Sequence, residues 1–300
     1  MELQAMIYDR LRNDQTIERL TARYGGGAAV FYQSAAPQDD SRWESPIQYP
    51  RIDYILDMME NPARNANGVL TINVWCDTQF GAEPEEIESR IRALLHASFA
   101  QADDYPYCFA WIRSDAFEIK KQQEETVRTI GVTVSFDVIA CPRQETVNPD
   151  PIKAMNDWTK ATIPNAKVIG KDTITGWFTP TNANPAIYWR VASESIKERH
   201  FAYTWLNITM EGHVYAPTAD ERLHTMAILK TAASLIGHVE MEDGSPLLLN
   251  SFEAKPHLNY TKTGQLKAEG FFGIMQPKSH LSTNGTGGKL QAPSYGFTDQ

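Results

Sequence analysis

The hydrophobic positions of this chain alternate between two periods, and the order in which the periods appear occurs twice. Leu3, Met6, Ile7 and Leu11 fall at helical spacing and predict a short helix over 3–12. Tyr24-Gly25-Gly26-Gly27 breaks the pattern, and Ala29-Val30-Phe31-Tyr32 reads as a first strand. Two alternating stretches follow, Arg51 to Leu56 and Gly68 to Cys76. In the second, Leu70, Ile72 and Val74 take one face, and Thr71, Asn73 and Trp75 take the other. Pro84 to Phe99 reads as the principal helix. Pro84 suits its first turn, Glu83, Glu85 and Glu86 sit where the helix dipole favours negative charge, and Ile87, Ile91, Leu94, Leu95 and Phe99 form one stripe. A short strand over Phe117–Lys121 and a closing strand over Thr126–Ala140 complete the series.

After Cys141 the series repeats. Ile152, Met155 and Trp158 indicate a degenerate first helix. Trp177-Phe178, Ile187–Val191 and Tyr203–Met210 read as strands, and Pro217-Thr218-Ala219-Asp220 opens a helix that runs to Ile236 before Gly237. Asn250–Lys255 and Leu266–Met275 supply the last two strands. Short matches recur in order at a spacing of 134–135 residues. Pro50-Arg51-Ile52 falls on Pro185-Ala186-Ile187, Thr71-Ile72-Asn73-Val74 on Trp205-Leu206-Asn207-Ile208, and Ala93-Leu94-Leu95 on Ala227-Ile228-Leu229. Ala116-Phe117-Glu118 falls on Ser251-Phe252-Glu253, and Ala5-Met6 on Ala154-Met155 at a longer spacing. A solenoid repeats every 20–50 residues or so; a spacing this long indicates two tandem copies of one domain. The expected fold is α+β: two α-β-β-β-α-β-β domains, each a mostly antiparallel sheet with helices on one face. The expected boundaries are 1–141 and 152–276, with a linker over 142–151 and a flexible arm over 277–300.

The polar, proline-marked stretch 33–48 reads as an excursion loop that carries one large apolar residue, Trp43. From Pro277 the chain turns to Ser, Thr, Asn and Gly without periodicity. The loop and the arm are expected to be assembly elements, with Trp43 an anchor into a neighbouring subunit or tail protein.

The formal charge of -9 and a pI near 5.3 argue against a partner held by a broad basic surface, such as duplex DNA. The odd set Cys76, Cys108 and Cys141 has no CxxC spacing and reads as free buried thiols of a reducing compartment. No apolar run reaches the ~18 residues of a membrane span, and the N-terminus lacks the pattern of a signal peptide, so neither membrane association nor secretion is expected.

A search for chemistry ends without an enzyme. Tyr24-Gly25-Gly26-Gly27 and Asn284-Gly285-Thr286-Gly287-Gly288-Lys289 both lack the strand–loop–helix setting of a phosphate loop. The seven histidines make no HxxxH, HxH or HExxH, and His96 and His224 are expected to face solvent from their helices. Glu83, Glu85, Glu86 and Glu88 lack the alternation and glycine of a calcium loop. Asp39-Asp40 and Asp103-Asp104 suit turns better than an acid/base pair. There is no GxSxG elbow, and no cysteine has a basic or histidine neighbour. No catalytic, cofactor-binding or metal-ligating residue is assigned. Tryptophans are numerous, and Trp75 and Trp205 sit on the polar faces of the strands before the two main helices, at what the spacing makes near-equivalent places. Together with Trp43 they are the candidate interface residues.

The helix at Leu3–Arg12, the strands Tyr49–Leu56 and Leu70–Asp77, the helix Pro84–Phe99 and the final strands over Phe117–Ala140 form a pattern that resembles the tail-terminator (tail-completion) proteins of long-tailed bacteriophages. The resemblance covers the first 141 residues well and the second copy weakly, and it is architectural rather than chemical. It implies a structural virion protein that assembles in the host cytoplasm. Such a protein forms a ring on the last ring of the tail tube and presents a surface to the head–tail connector or neck, in some tails also to the sheath. The genome passes through the bore without specific binding. This chain departs from the family by its double length, which leaves six copies per ring, or three with pseudo-six-fold symmetry, both open. The alternative from another class is a duplicated small-molecule-binding or regulatory module with a cleft between its domains.

Overall fold

A computed structural model describes residues 2–60, 66–79, 83–102, 105–120, 128–145 and 147–275. The predicted N-terminal helix is α1 (Leu3–Arg12), which buries the predicted Leu3, Met6, Ile7 and Leu11. A second helix, α2 (Gln15–Leu20), was not expected. It is too short for periodicity to register, and it is started by Asp14, whose carboxylate accepts from the backbone N–H groups of Thr16 and Ile17. The hairpin β1 (Arg23–Tyr24) and β2 (Gly27–Ala28) leads into β3 (Val30–Tyr32), β4 (Arg51–Asp57), β5 (Gly68–Asp77) and helix α3 (Pro84–Leu95). The helix ends four residues short of its predicted end. His96 is extended and Ala97 is left-handed (φ +56°), so Phe99 belongs to an unforeseen strand, β6 (Phe99–Ala102). The predicted strand at Phe117 is the end of the sixteen-residue β7 (Tyr105–Lys120), and β8 (Arg128–Ala140) closes the first unit. The expected strand residues Lys121, Thr126 and Val127 and the expected arm over 277–300 lie outside the described residues.

The second unit runs α4 (Pro151–Thr162), β9 (Lys167–Ile169), β10 (Trp177–Phe178), β11 (Ala186–Arg199), β12 (Tyr203–Tyr215) and α5 (Ala219–Leu235). It finishes with β13 (His238–Glu240), β14 (Pro246–Ala254) and β15 (Leu266–Met275). Asp150 and Thr218 cap the two helices through their side chains. On α5, Met226, Leu229 and Ala233 are buried, whereas Leu223 is exposed.

The first sheet has the order β10-β6-β7-β8-β5-β4-β3, and the second β13-β14-β15-β12-β11-β9. Apart from β10, the two follow the same path with the same sense, each having one parallel pair at the β3–β4 or β9–β11 end. The registers agree as well. Val30 pairs with Ile52 and Ile52 with Val74, just as Val168 pairs with Ile187 and Ile187 with Val214. At the other edge Gln101 lies opposite Pro106 as Glu240 lies opposite Pro246. The ladder also corrects the alignment read from the sequence. Val74 corresponds to Val214, not to Ile208, and Trp75 therefore corresponds to Tyr215 and not to Trp205. The constant spacing failed here because connections of different length separate the strands, while a shift of six residues preserves which face each apolar residue takes.

Each sheet is covered by its helices on one face only. α1 and α3 pack on the first sheet around Ile52, Tyr54, Ile72, Val74 and Val134, and α4 and α5 on the second around Ile187, Trp189, Met210 and Val214. Tyr54 and Trp189 occupy the same place in the two units, and each ties its sheet to the unit's first helix. Tyr54 OH donates to Gln4 O (2.9 Å), and Trp189 Nε1 donates to Thr159 Oγ1 (2.9 Å). The larger ring is accommodated across the ladder. Ile72 faces Tyr54, but Gly212 faces Trp189, where a Cβ would lie 2.7 Å from the indole. Leu94→Ala and Leu229→Ala each remove a buried helix side chain, so each should cost about 2–5 kcal/mol in chemical denaturation. A variant that unfolds with its parent would place that residue outside the core.

Candidate interaction surfaces and the junction between the units

The sheet faces that carry no helices meet each other. Phe99, Cys108 and Ile139 from the first unit pack against Ile169, Tyr188 and Tyr215 from the second in one buried cluster, with Phe99 and Tyr215 edge to face at 4.9 Å. Of these positions only Ile139 and Tyr188 lie in strands read from the sequence, and alternation there does not show that the face is buried, because a sheet with one solvated face gives the same period.

The segment between β9 and β11 crosses this junction. Its strand β10 belongs by sequence to the second unit, yet it pairs with β6 and extends the first sheet. Gln101 N donates to Gly176 O (2.8 Å), and Trp177 stacks on Phe109 at 5.5 Å with the Arg10 guanidinium 5.2 Å from its ring. The reading of Trp177-Phe178 as a strand identified the conformation; the sheet it joins is set by tertiary contact.

Polar groups seal the same boundary. Asp137, on β8, is 1% exposed and forms an ion pair with Lys262 from the β14–β15 connection. His96 does not face solvent as expected. Its Nδ1 accepts from Trp111 N (3.1 Å), which leaves Nε2–H to donate to Tyr260 OH (2.8 Å), and Arg222 lies over the Tyr260 ring at 4.4 Å. His213 is fixed in one tautomer. Nε2 accepts from Arg190 Nε (3.1 Å), so Nδ1–H donates to Tyr260 O (2.9 Å). Burial, with Arg190 adding to it, pushes the His213 imidazole down to about 4 from its ordinary 6.5. The unfolded chain therefore binds the proton first, and this stabilising contribution is complete above pH 6.5 and is lost as pH falls towards 4. By pH 5 the loss is about 2 kcal/mol. Urea titrations at pH 7 and pH 5 should show that difference in the parent and a smaller one in His213→Gln. Equal pH dependence in the two proteins would remove His213 as the source.

A cleft of about 330 Å³ opens along the junction, lined by Tyr105, Gln144, Arg190, His213 and Lys262 among others. Its cationic groups already have partners. Arg190 is paired with Glu211, Lys262 with Asp137, and His213 is neutral. Among the described residues no three His, Cys, Asp or Glu side chains are grouped to hold a metal. Cys76, Cys108 and Cys141 are free and buried, as expected of them, and burial raises all three thiols, Cys76 and Cys141 to about 12.

The three tryptophans singled out in the sequence have different settings. Trp43 lies back on its own unit, edge to face with Tyr24 at 5.0 Å and 5.5 Å from Phe31, and its indole N–H donates to Pro37 O (2.9 Å). Trp75 lies on the helix-free face of the first sheet, packed on Phe117 at 4.8 Å, with its N–H donating to Asp53. Asn73 donates to the other oxygen of Asp53 (2.7 Å) and accepts from Thr133 Oγ1 (2.8 Å). Burial pushes the Asp53 carboxyl up, while these two hydrogen bonds pull it down. Trp205 lies on the helix-free face of the second sheet between Tyr203 and Phe271. All three rings are half-buried. Beyond them, the β11–β12 hairpin carries Ile196 and Phe201 at its exposed end, Phe201 being 80% exposed.

No family model matches the chain, and no curated protein matches it. Among solved structures, a chain of the virion of a native gene transfer agent particle is similar over 46% of this chain and 94% of its own, with 18% identity and a TM-score of 0.32. A second solved chain is similar over 45% of this chain and 94% of its own, with 14% identity and a TM-score of 0.27. At that similarity neither assigns a fold or a function.

Proposed function

We propose that the chain is a structural virion protein without catalytic activity, two tandem copies of one domain that assemble into a tail-terminator ring. The observation that carries this reading is the junction. Two units of the same strand order meet through their helix-free faces but at different ends, the β6–β8 end of one sheet against the β9–β11–β12 end of the other. A contact between like units through different patches is heterologous, and its repetition gives a ring when the rotation closes. Three chains then supply six domains, and six chains a ring with an outer tier. The net charge of -9 suits a bore through which DNA passes without adhering. The partners are the tail tube protein on one side and the connector or neck protein on the other, with the sheath added in a contractile tail. The alternative, a ligand site in the junction cleft, is disfavoured because its two cationic lining residues are already paired, Arg190 with Glu211 and Lys262 with Asp137. Light scattering and negative-stain imaging of the purified chain test the proposal. It expects annular particles with a pore, at three or six times the 33.8 kDa chain mass. A monomer at every concentration would end it.

A further inference from the structure

We propose that the contact between chains repeats the junction within the chain: the open edge of β13 in one copy takes the segment around Trp43 of a second copy, as β6 takes Trp177. This rests on the ring reading and names its interface.

The argument starts from β6 and β13, which hold the same place in the two sheets. The residue opposite Gln101 is Pro106, and the residue opposite Glu240 is Pro246. Proline has no N–H to give to the neighbouring strand, so this pair is one whose backbone groups point away from each other. In the first unit the outward Gln101 N–H is taken by Gly176 O. In the second, β13 ends its sheet, His238 and Glu240 are exposed, and nothing among the described residues lies on its outer edge. An unpaired strand edge is a template for another chain.

The occupant follows from the same correspondence. In the second unit, the strap that fills the first unit's edge lies between β9 and β11. The matching segment of the first unit lies between β3 and β4, and it is the loop 33–48. Trp43 precedes Trp177 by 134 residues, close to the 135 that separate Ile52 from Ile187 in the strands that follow. The supporting faces agree too. On the second unit, the places of Cys108 and Ile139 are taken by Leu248 and Phe271, which is packed on Trp205. On the incoming first unit, the place of Tyr215 is taken by Trp75. The half-buried aromatic rings on both helix-free faces thereby meet, where a lone chain leaves them against solvent. Arg42 O and Glu44 N are now bonded to Gly25 N (2.9 Å) and Arg23 O (3.3 Å), so docking exchanges β1 for β13 and keeps the number of backbone hydrogen bonds on the segment.

Two variants of the full chain test this. Glu44→Cys combined with His238→Cys places thiols opposite one another, in the positions of Phe178 and Phe99, while the three native thiols are buried. Oxidation should give a ladder of covalent multimers on a non-reducing gel. Glu240→Pro removes the outward N–H without touching a bond to β14, and it should raise the concentration needed for assembly at least tenfold, whereas Glu240→Ala leaves it unchanged. If rings form but the cysteine pair does not link and Glu240→Pro assembles like the parent, this interface is wrong and the ring reading stands. If the parent never assembles, both fail. If Glu240→Pro lowers the melting temperature while leaving the mass unchanged, β13 is covered from within the same chain, and the proposal is overturned.

Discussion

Replacing Lys262 with Met will cost about 3 kcal/mol of stability, because it removes the ammonium that is ion-paired with the buried Asp137 carboxylate in the junction. The asymmetry of exposure sets the size. Asp137 is 1% exposed and cannot recover water, while the Lys262 side chain is 25% exposed and regains part of its hydration when the pair is broken. Asp137→Asn combined with Lys262→Met should recover most of the loss, since the cost lies in the charge left buried rather than in the absence of attraction. Chemical denaturation of the parent, the two single variants and the double variant decides it. A single variant within about 0.5 kcal/mol of the parent would mean that Asp137 is hydrated in solution.

The second large effect belongs to Trp189. Truncation to Ala empties the centre of the second core and leaves Thr159 without its donor, and it should cost about 3–5 kcal/mol. Gly212→Ala should cost about 1–3 kcal/mol for the opposite reason, since the new methyl must displace the ring. In the first unit the same two places hold Tyr54 and Ile72, a smaller ring facing a larger neighbour. Trp189→Tyr with Gly212→Ala should therefore be more stable than the sum of the single effects by about 1 kcal/mol. Strict additivity would show that the ring and the glycine do not share volume.

The sequence made some parts of this fold readable and hid others for identifiable reasons. α1, the alternating core of β5 and the limits of β15 follow from periodicity, since each buries one continuous face. α2, β6 and β13 are too short to show a period. The far half of β11 is exposed on both faces, so no alternation marks Ser193–Arg199, and the strand was read as ending at Val191. Trp75 and Trp205 were recognisable as residues of a helix-free face, but their lack of equivalence was not. Register depends on hydrogen bonds between strands, and a shift by an even number of residues leaves every face unchanged. The junction was least accessible: Phe99, Tyr188 and Tyr215 carry no local sign that a second sheet covers them.

The crossing of β10 into the first sheet also sets an order of events during synthesis. The first unit can be complete through Ala140 while its β6 edge is bare and the place of Trp177 is empty. The strand that closes the edge is made roughly 75 residues after β6. At about 5–20 residues per second, the ribosome leaves that edge open for about 4–15 s. Pairing of this edge between two nascent chains on one message would compete with the crossing. Slower elongation through residues 141–178 would lengthen the exposure and lower the yield of soluble chain.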